Sequence, residues 1–142
     1  MRISEVLRRK GDSVTTLSPE TDVAALLELM AEEGIGAVVV SPDGERVAGI
    51  VSERDVVRAL HHNGADVLGR PISSIMTSQV HSCVPEDDLE TLARTMTDHR
   101  IRHLPVVVEG RLRGVVSIGD IVKHRIAELQ GERDQLVGYI QQ

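Results

Sequence analysis

The sequence predicts an α/β protein of the α+β type. Two pseudo-twofold-related β-α-β-β-α units pack their sheets together, and a C-terminal helix follows them. Three observations predict this. The stretch GIVSERDVV at 49–57 returns sixty-five positions later as GVVSIGDIV at 114–122. A helical apolar stripe and then a branched apolar run precede each copy. The tail KHRIAELQGERDQLVGYIQQ has no counterpart upstream.

The repeat extends beyond the motif. Residues 14–23, VTTLSPETDV, align with 80–89, VHSCVPEDDL, at an offset of 66, setting Pro19 on Pro85, Thr21 on Asp87 and Met30 on Met96. One residue fewer in the second turn, VVEGRLRG against SPDGERVAG, lowers the offset to 65 from Gly49 and Gly114 onward. Ile3, Val6 and Leu7 recur as Ile72, Ile75 and Met76. The repeat divides the chain into a first unit with an N-terminal helix at 1–68, a second at 69–126 and a helical extension at 127–142. A period of about 65 residues is too long, and two copies too few, for a solenoid.

Each unit opens with a short strand, near residues 14–17 and 80–84. Val23, Leu26, Leu27 and Met30 then follow the i, i+3, i+4, i+7 spacing of a helix with one buried face, with Thr21 as N-cap and Gly34 as stop. In the second unit Asp87 is the expected cap, and Leu89, Leu92, Ala93 and Met96 form the stripe. AVVVS at 37–41 reads as a buried strand. A turn through Asp43-Gly44 leads to a further strand, VAGIVS at 47–52, and Val56, Val57 and Leu60 begin the next helix. Neither three-stranded sheet can cover both of its faces alone, so the two units are expected to pack on each other. In the tail, Val122, Ile126, Leu129, Leu136 and Ile140 form a fragment of a heptad seam, with Arg133 in the missing apolar slot. Gly131 and Gly138 weaken it. This helix either packs on its own domain or joins a partner subunit.

Composition narrows the function classes. Among 142 residues Tyr139 is the only aromatic, so no stacking platform for single-stranded nucleic acid is available. A net charge of −6 disfavours nucleic-acid and anionic-membrane partners. Cys83 is the single cysteine, which rules out an internal disulfide and fits a reducing compartment. No run approaches a membrane span, and the expected location is the cytoplasm.

SERD and SIGD each fit a capping box, in which a serine and an acidic residue three positions on satisfy free N–H groups at a helix start. Three features add a binding reading. Each serine ends a buried strand at an anion-friendly helix N-terminus. Each aspartate offers an acceptor for a ribose diol. The duplication places two equivalent clefts between the units.

With those motifs in register, the chain resembles a tandem CBS-domain (cystathionine β-synthase domain) pair over residues 1 to about 126. The resemblance implies two clefts for adenosine-containing ligands such as AMP, ADP, ATP, NAD(H) or S-adenosylmethionine. The motif aspartate then holds ribose, and the serine or its neighbours hold phosphate. By the family's pattern, one site combines Ser52, Arg54 and Asp55 with Val80, His81, Arg102, His103 and Leu104. The other combines Ser117, Gly119 and Asp120 with Val14, Thr15, Gly36, Ala37 and Val38. Arg54 and Arg102 suit the first site to phosphate through charge-assisted hydrogen bonds. The second has Gly36, Ala37 and Gly119 at the matching positions and is expected to hold a charged tail less well.

Other signals are discounted. GIGAVV at 34–39 follows a helix and precedes a strand, the reverse of a dinucleotide fingerprint. His99 and His103 have the i, i+4 spacing of a helical metal pair, but Pro105 puts the helix end near Arg100. His61-His62 sit in a polar linker without acidic or thiol partners. Cys83 reads as a small strand residue, and no set of residues makes a catalytic constellation. The expected function is a stand-alone, non-enzymatic sensor of adenine nucleotides. It needs no obligatory cofactor or metal, forms a homodimer and acts on an unidentified regulated protein. The alternative is a constitutive dimerisation scaffold with vestigial clefts; an enzyme acting on bound nucleotide has no acid–base pair to support it.

Overall fold

A computed structural model describes residues 1–11 and 13–141; Asp12 and Gln142 lie outside the described residues. Helix α1 (Ile3–Lys10) is followed by β1 (Thr16–Leu17), α2 (Val23–Glu33), β2 (Ala37–Val40), β3 (Gly49–Ser52) and α3 (Glu53–Asn63). Two 3-10 turns, Gly64–Gly69 and Ile72–Ser74, lead to α4 (Leu89–His99), β4 (His103–Val108), β5 (Arg111–Ser117) and α5 (Ile118–Gln141).

β1 runs parallel to β2, which pairs antiparallel with β3 so that Ala37 faces Ser52. β4 and β5 pair antiparallel, with His103 opposite Ser117. Each motif serine therefore lies beside the first residue of the neighbouring strand. The second unit's expected opening strand at 80–84 shrinks to a single parallel bridge between Cys83 and Val106. Backbone bonds from Cys83 N–H to Pro105 O and from Val107 N–H to Cys83 O hold that bridge. Within the first unit, Val14 and Thr15 likewise fall outside β1.

The helix caps sit one residue later than the spacing predicts. Asp22, not Thr21, caps α2 by accepting from Ala25 N–H at 2.8 Å, and Asp88, not Asp87, caps α4 by accepting from Thr91 N–H at 2.7 Å. A side chain must stand three residues before the free N–H to reach it, and Asp22 and Asp88 meet that condition. Thr21 uses its carbonyl to accept from Ile72 N–H, while the Asp87 carboxylate accepts from Val84 N–H. Gly34 ends α2 in the left-handed region at φ 63°.

Two apolar cores form, and the N-terminal segments cross between them. Ile3 and Val6 of α1 are buried with Leu89, Leu92, Met96, Leu104, Val106 and Val116, all from the second half of the repeat. Ile72 is buried with Val23, Leu26, Val38 and Val51 from the first half. The backbone bonds follow the same exchange: Ile3 N–H donates to Asp87 O, and Ile72 N–H donates to Thr21 O. Sequence order groups α1 with residues 1–68, whereas its side chains pack in the other core.

The motif glycines permit this crossing. A Cβ at Gly49 would lie 2.6 Å from Met76 Sδ and 2.8 Å from Thr77 O, and one at Gly114 would lie 2.6 Å from Leu7 Cδ2. α5 is continuous from Ile118, with no break near residue 127. Of its residues only Ile121 and His124 are buried. Its apolar stripe does not pack on its own domain: Val122, Ile126, Leu129, Leu136 and Ile140 are all exposed, Leu136 at 63%. On α3, Val56 is buried while Val57 and Leu60 face solvent.

Candidate functional site

Ser52 ends β3, and its backbone is extended where α3 begins. The Ser52 N–H donates to Asp55 Oδ2 at 2.9 Å, the Ser52 hydroxyl donates to the same oxygen at 3.1 Å, and Asp55 N–H donates to Ser52 Oγ. The capping box is present. It occupies only one carboxylate oxygen, because Oδ1 accepts a single bond, from the Thr77 hydroxyl at 3.2 Å. Asp55 can cap the helix and still offer an acceptor outward.

Asp55 lines a cavity of about 610 Å³ between the two units. Ser52, Arg54, Asp55, Val80, His81, Arg102 and His103, which the family resemblance groups in one site, line it. Gly36 and Ala37, expected only in the other site, line both cavities, as does His103. Leu104 does not line it: next to His103 on β4 it points to the opposite face and is buried in the second core. Residues not foreseen also contribute, namely Glu53, Arg58, Thr77, Gln79, His99 and Arg100. Arg58 was legible, since it stands one helical turn from Arg54 and shares its face. His99 ends α4 and His103 begins β4, so they are not a helical pair. Both nevertheless reach this cavity, where the His81 and His99 rings stack with centroids 4.2 Å apart. Four guanidinium groups against two carboxylates give the cavity a cationic wall. Burial holds the His103 imidazole below its ordinary pKa, with the Lys10 ammonium acting in the same direction.

The second cavity, of about 300 Å³, is lined by Val14, Thr15, Gly36, Ala37 and Ser117, together with Lys10, Glu33 and Val39. Val38 is buried in the first core. Gly119 and Asp120 do not line the cavity. The capping box recurs here, with Ser117 N–H donating to Asp120 Oδ2 at 2.9 Å and Asp120 N–H donating to Ser117 Oγ at 3.1 Å. The difference is Lys10, whose ammonium donates to Asp120 Oδ2 at 2.8 Å and to Val115 O at 2.7 Å. Burial alone would raise the Asp120 pKa, but the Lys10 ammonium and the Ser117 N–H outweigh it and hold the carboxyl below its usual range. Thr15 Oγ1 donates to Glu33 Oε2 at 2.9 Å.

Cys83 is buried, and burial, followed by the Asp87 charge, pushes its thiol up to about 12. A thiol so far from ionisation is a packing residue. Among the described residues no group of three or more His, Cys, Asp or Glu side chains is arranged to hold a metal ion, and no helix is long and apolar enough to cross a membrane.

Two equivalent units, exchanging their N-terminal segments and opening a cleft at each strand-to-helix turn, define a tandem-repeat module. The chain belongs to the CBS-domain family, whose model matches residues 3–62 and 72–127. CBS domains are regulatory rather than catalytic modules. A mitochondrial CBS domain-containing protein of Arabidopsis thaliana is 35% identical over 147 aligned positions, covering 98% of this chain and 71% of that protein. The structure of a CBS-domain-containing protein from Agrobacterium tumefaciens is 40% identical, covering 88% of this chain and 99% of that one, with a TM-score of 0.84. A CBS domain protein of Pyrobaculum aerophilum, solved in complex with AMP, is 29% identical over 84% of this chain and 89% of its own, with a TM-score of 0.73. The CBS-pair fold thus accommodates an adenosine-containing ligand in a related structure.

Proposed function

We propose that this protein is a stand-alone regulatory module that binds a phosphorylated adenosine ligand, AMP, ADP, ATP or NAD(H), in its first cleft and passes that state to a regulated protein. The observation that carries the reading is Asp55, which lines the larger cavity and whose Oδ1 accepts from the Thr77 hydroxyl alone. In this reading the ribose hydroxyls donate to Asp55, and Arg54 and Arg102 hold phosphate. Ile50, Val80 and Ile101 supply apolar surface for the base. The cavity volume falls within the ordinary range of small-ligand pockets, roughly 300–1,000 Å³. The AMP complex of the Pyrobaculum relative supports the ligand class.

The same reading includes a homodimer. Val57 and Val122 occupy equivalent positions in the repeat, and both are exposed, as is the stripe down α5. A second copy would cover both helices at once. The lone buried thiol is compatible with a cytoplasmic protein. The exposed apolar helices also favour a second reading, a constitutive dimerisation scaffold with vestigial clefts. Calorimetric titration of the purified protein with AMP, NADH and adenosine separates the two. Saturable heat with AMP or NADH is the expected result; silence with all three ends the sensor reading and leaves the scaffold.

A further inference from the structure

The first cleft holds more cationic side chain than one phosphate uses. Arg54, Arg58, Arg100 and Arg102 all line its cavity, and all four residues are exposed. Among the described residues none of their guanidinium groups makes an ion pair, so Glu53 and Asp55, the carboxylates of the same cavity, pair with none of them. The fold does not require these cations. The repeat sets them on Gly119, Lys123, Gly34 and Gly36, and Gly34 and Gly36 line the second cavity. The contrast is sharpest at Arg100. It ends α4 in the left-handed region at φ 54°, as Gly34 ends α2 at φ 63°. Glycine adopts that conformation freely, whereas an arginine adopts it against its own Cβ. A cation suits the C-terminus of α4, but the helix dipole accounts for one arginine and not for four on one cavity.

Resting on the ligand class proposed above, we propose that Arg58 and Arg100 form a second anion subsite in the first cleft, which selects nucleotides carrying two or more linked phosphates over monophosphates. Arg54 and Arg102 meet the phosphate next to the ribose. Arg58 stands one turn further along α3, about 6 Å from Arg54 along the helix axis, and Arg100 comes from the turn between α4 and β4. A second phosphate thus meets guanidinium groups from two elements, each able to donate a forked pair of hydrogen bonds. With a monophosphate bound, Arg58 and Arg100 remain like charges on one cavity with no anion between them. A second phosphate supplies that anion.

The test is calorimetric titration of the full chain with AMP, ADP and inorganic pyrophosphate, in buffer free of divalent cations. Wild type is expected to bind ADP about tenfold or more tightly than AMP, the effect of one charge-assisted hydrogen bond, and to bind pyrophosphate more weakly than ADP. Arg58→Ala and Arg100→Gly are each expected to bring the ADP-to-AMP affinity ratio below about threefold. Neither residue lines the second cavity, so the loss belongs to the first cleft. Arg100→Gly installs the residue that the repeat carries at this backbone conformation. It is expected to melt no lower than wild type, which separates lost binding from lost folding. Equal affinities for AMP and ADP in wild type, or an ADP advantage that survives both substitutions, would overturn the subsite while leaving nucleotide binding intact. Pyrophosphate bound as tightly as ADP would remove the nucleoside from the ligand and the proposal with it. If AMP, ADP and NADH are all silent, the ligand class itself is wrong and the subsite falls with it.

Discussion

Asp55→Ala separates the two roles that converge on one side chain. Substitution removes the Oδ2 acceptor that closes the capping box and the Oδ1 acceptor that the proposed function gives to ribose. The first loss weakens the α3 N-terminus by about 1 kcal/mol, which lowers the melting temperature by about 4 °C for a domain of this size. The second leaves ribose hydroxyls without an acceptor, at a cost of about 1–3 kcal/mol, or roughly a 5- to 150-fold loss of AMP affinity at tenfold per 1.4 kcal/mol. Asp88→Ala is the control. Asp88 caps α4 through Thr91 N–H and lines neither cavity, so it should cost similar stability and leave affinity alone. Thermal melts and AMP titrations of both variants are the assay. If Asp55→Ala melts lower and yet binds AMP at the first cleft as wild type does, Asp55 is a cap and nothing more.

Arg102→Ala removes a cation from the first cavity but no ribose acceptor, so calorimetry should show AMP weakened about ten- to 100-fold and adenosine by less than threefold; equal losses would place Arg102 away from phosphate. Gly49→Ala should destabilise by about 1–3 kcal/mol and Gly114→Ala by less, in denaturant melts. The new methyl at Gly49 meets the backbone oxygen of Thr77, whereas the one at Gly114 meets only the end of the Leu7 side chain; the reverse order would contradict the crossing of the N-terminal segments. With the His103 pKa held below 6.5 by burial first and by the Lys10 ammonium next, the unfolded chain binds the extra proton first. Stability should therefore fall as pH drops below 6.5, and His103→Gln should flatten melting temperature between pH 7 and 5.5; an unchanged slope refutes it. Ile126→Glu should shift sedimentation from a dimer to the 15.5 kDa monomer without changing the fold; a wild type already monomeric at micromolar concentration removes the dimer.

What the sequence revealed and what it hid divide by the distance over which the information acts. The repeat, the two helical stripes and the motif turns are local patterns, and each became the expected element because burial of one face decides it. The caps slipped by one residue because Thr21-Asp22 and Asp87-Asp88 offer adjacent acceptors, and only the position of the free N–H selects between them. The opening strand at 80–84 failed because its backbone pairing needs a parallel neighbour, and just one residue of it meets Val106. The repeat marked Ser52 and Asp55, and the family resemblance supplied the residues facing them, but Arg100 and Gln79 enter through loop geometry that no period encodes.

Lys10 is the limiting case. It is one cation in a run of three, Arg8, Arg9 and Lys10, at the end of a short helix, where basic residues are ordinary partners of the helix dipole. Its partner Asp120 lies 110 positions away, and the two meet only because α1 packs in the core of the other unit. The crossing of the N-terminal segments is itself what the repeat obscures, since self-similarity shows which residues are equivalent without showing which copy each packs against. A duplicated chain gains two clefts from one motif. Exchange of the flanking segments then brings unlike residues, Lys10 to one motif aspartate and Thr77 to the other, without any change in the motif.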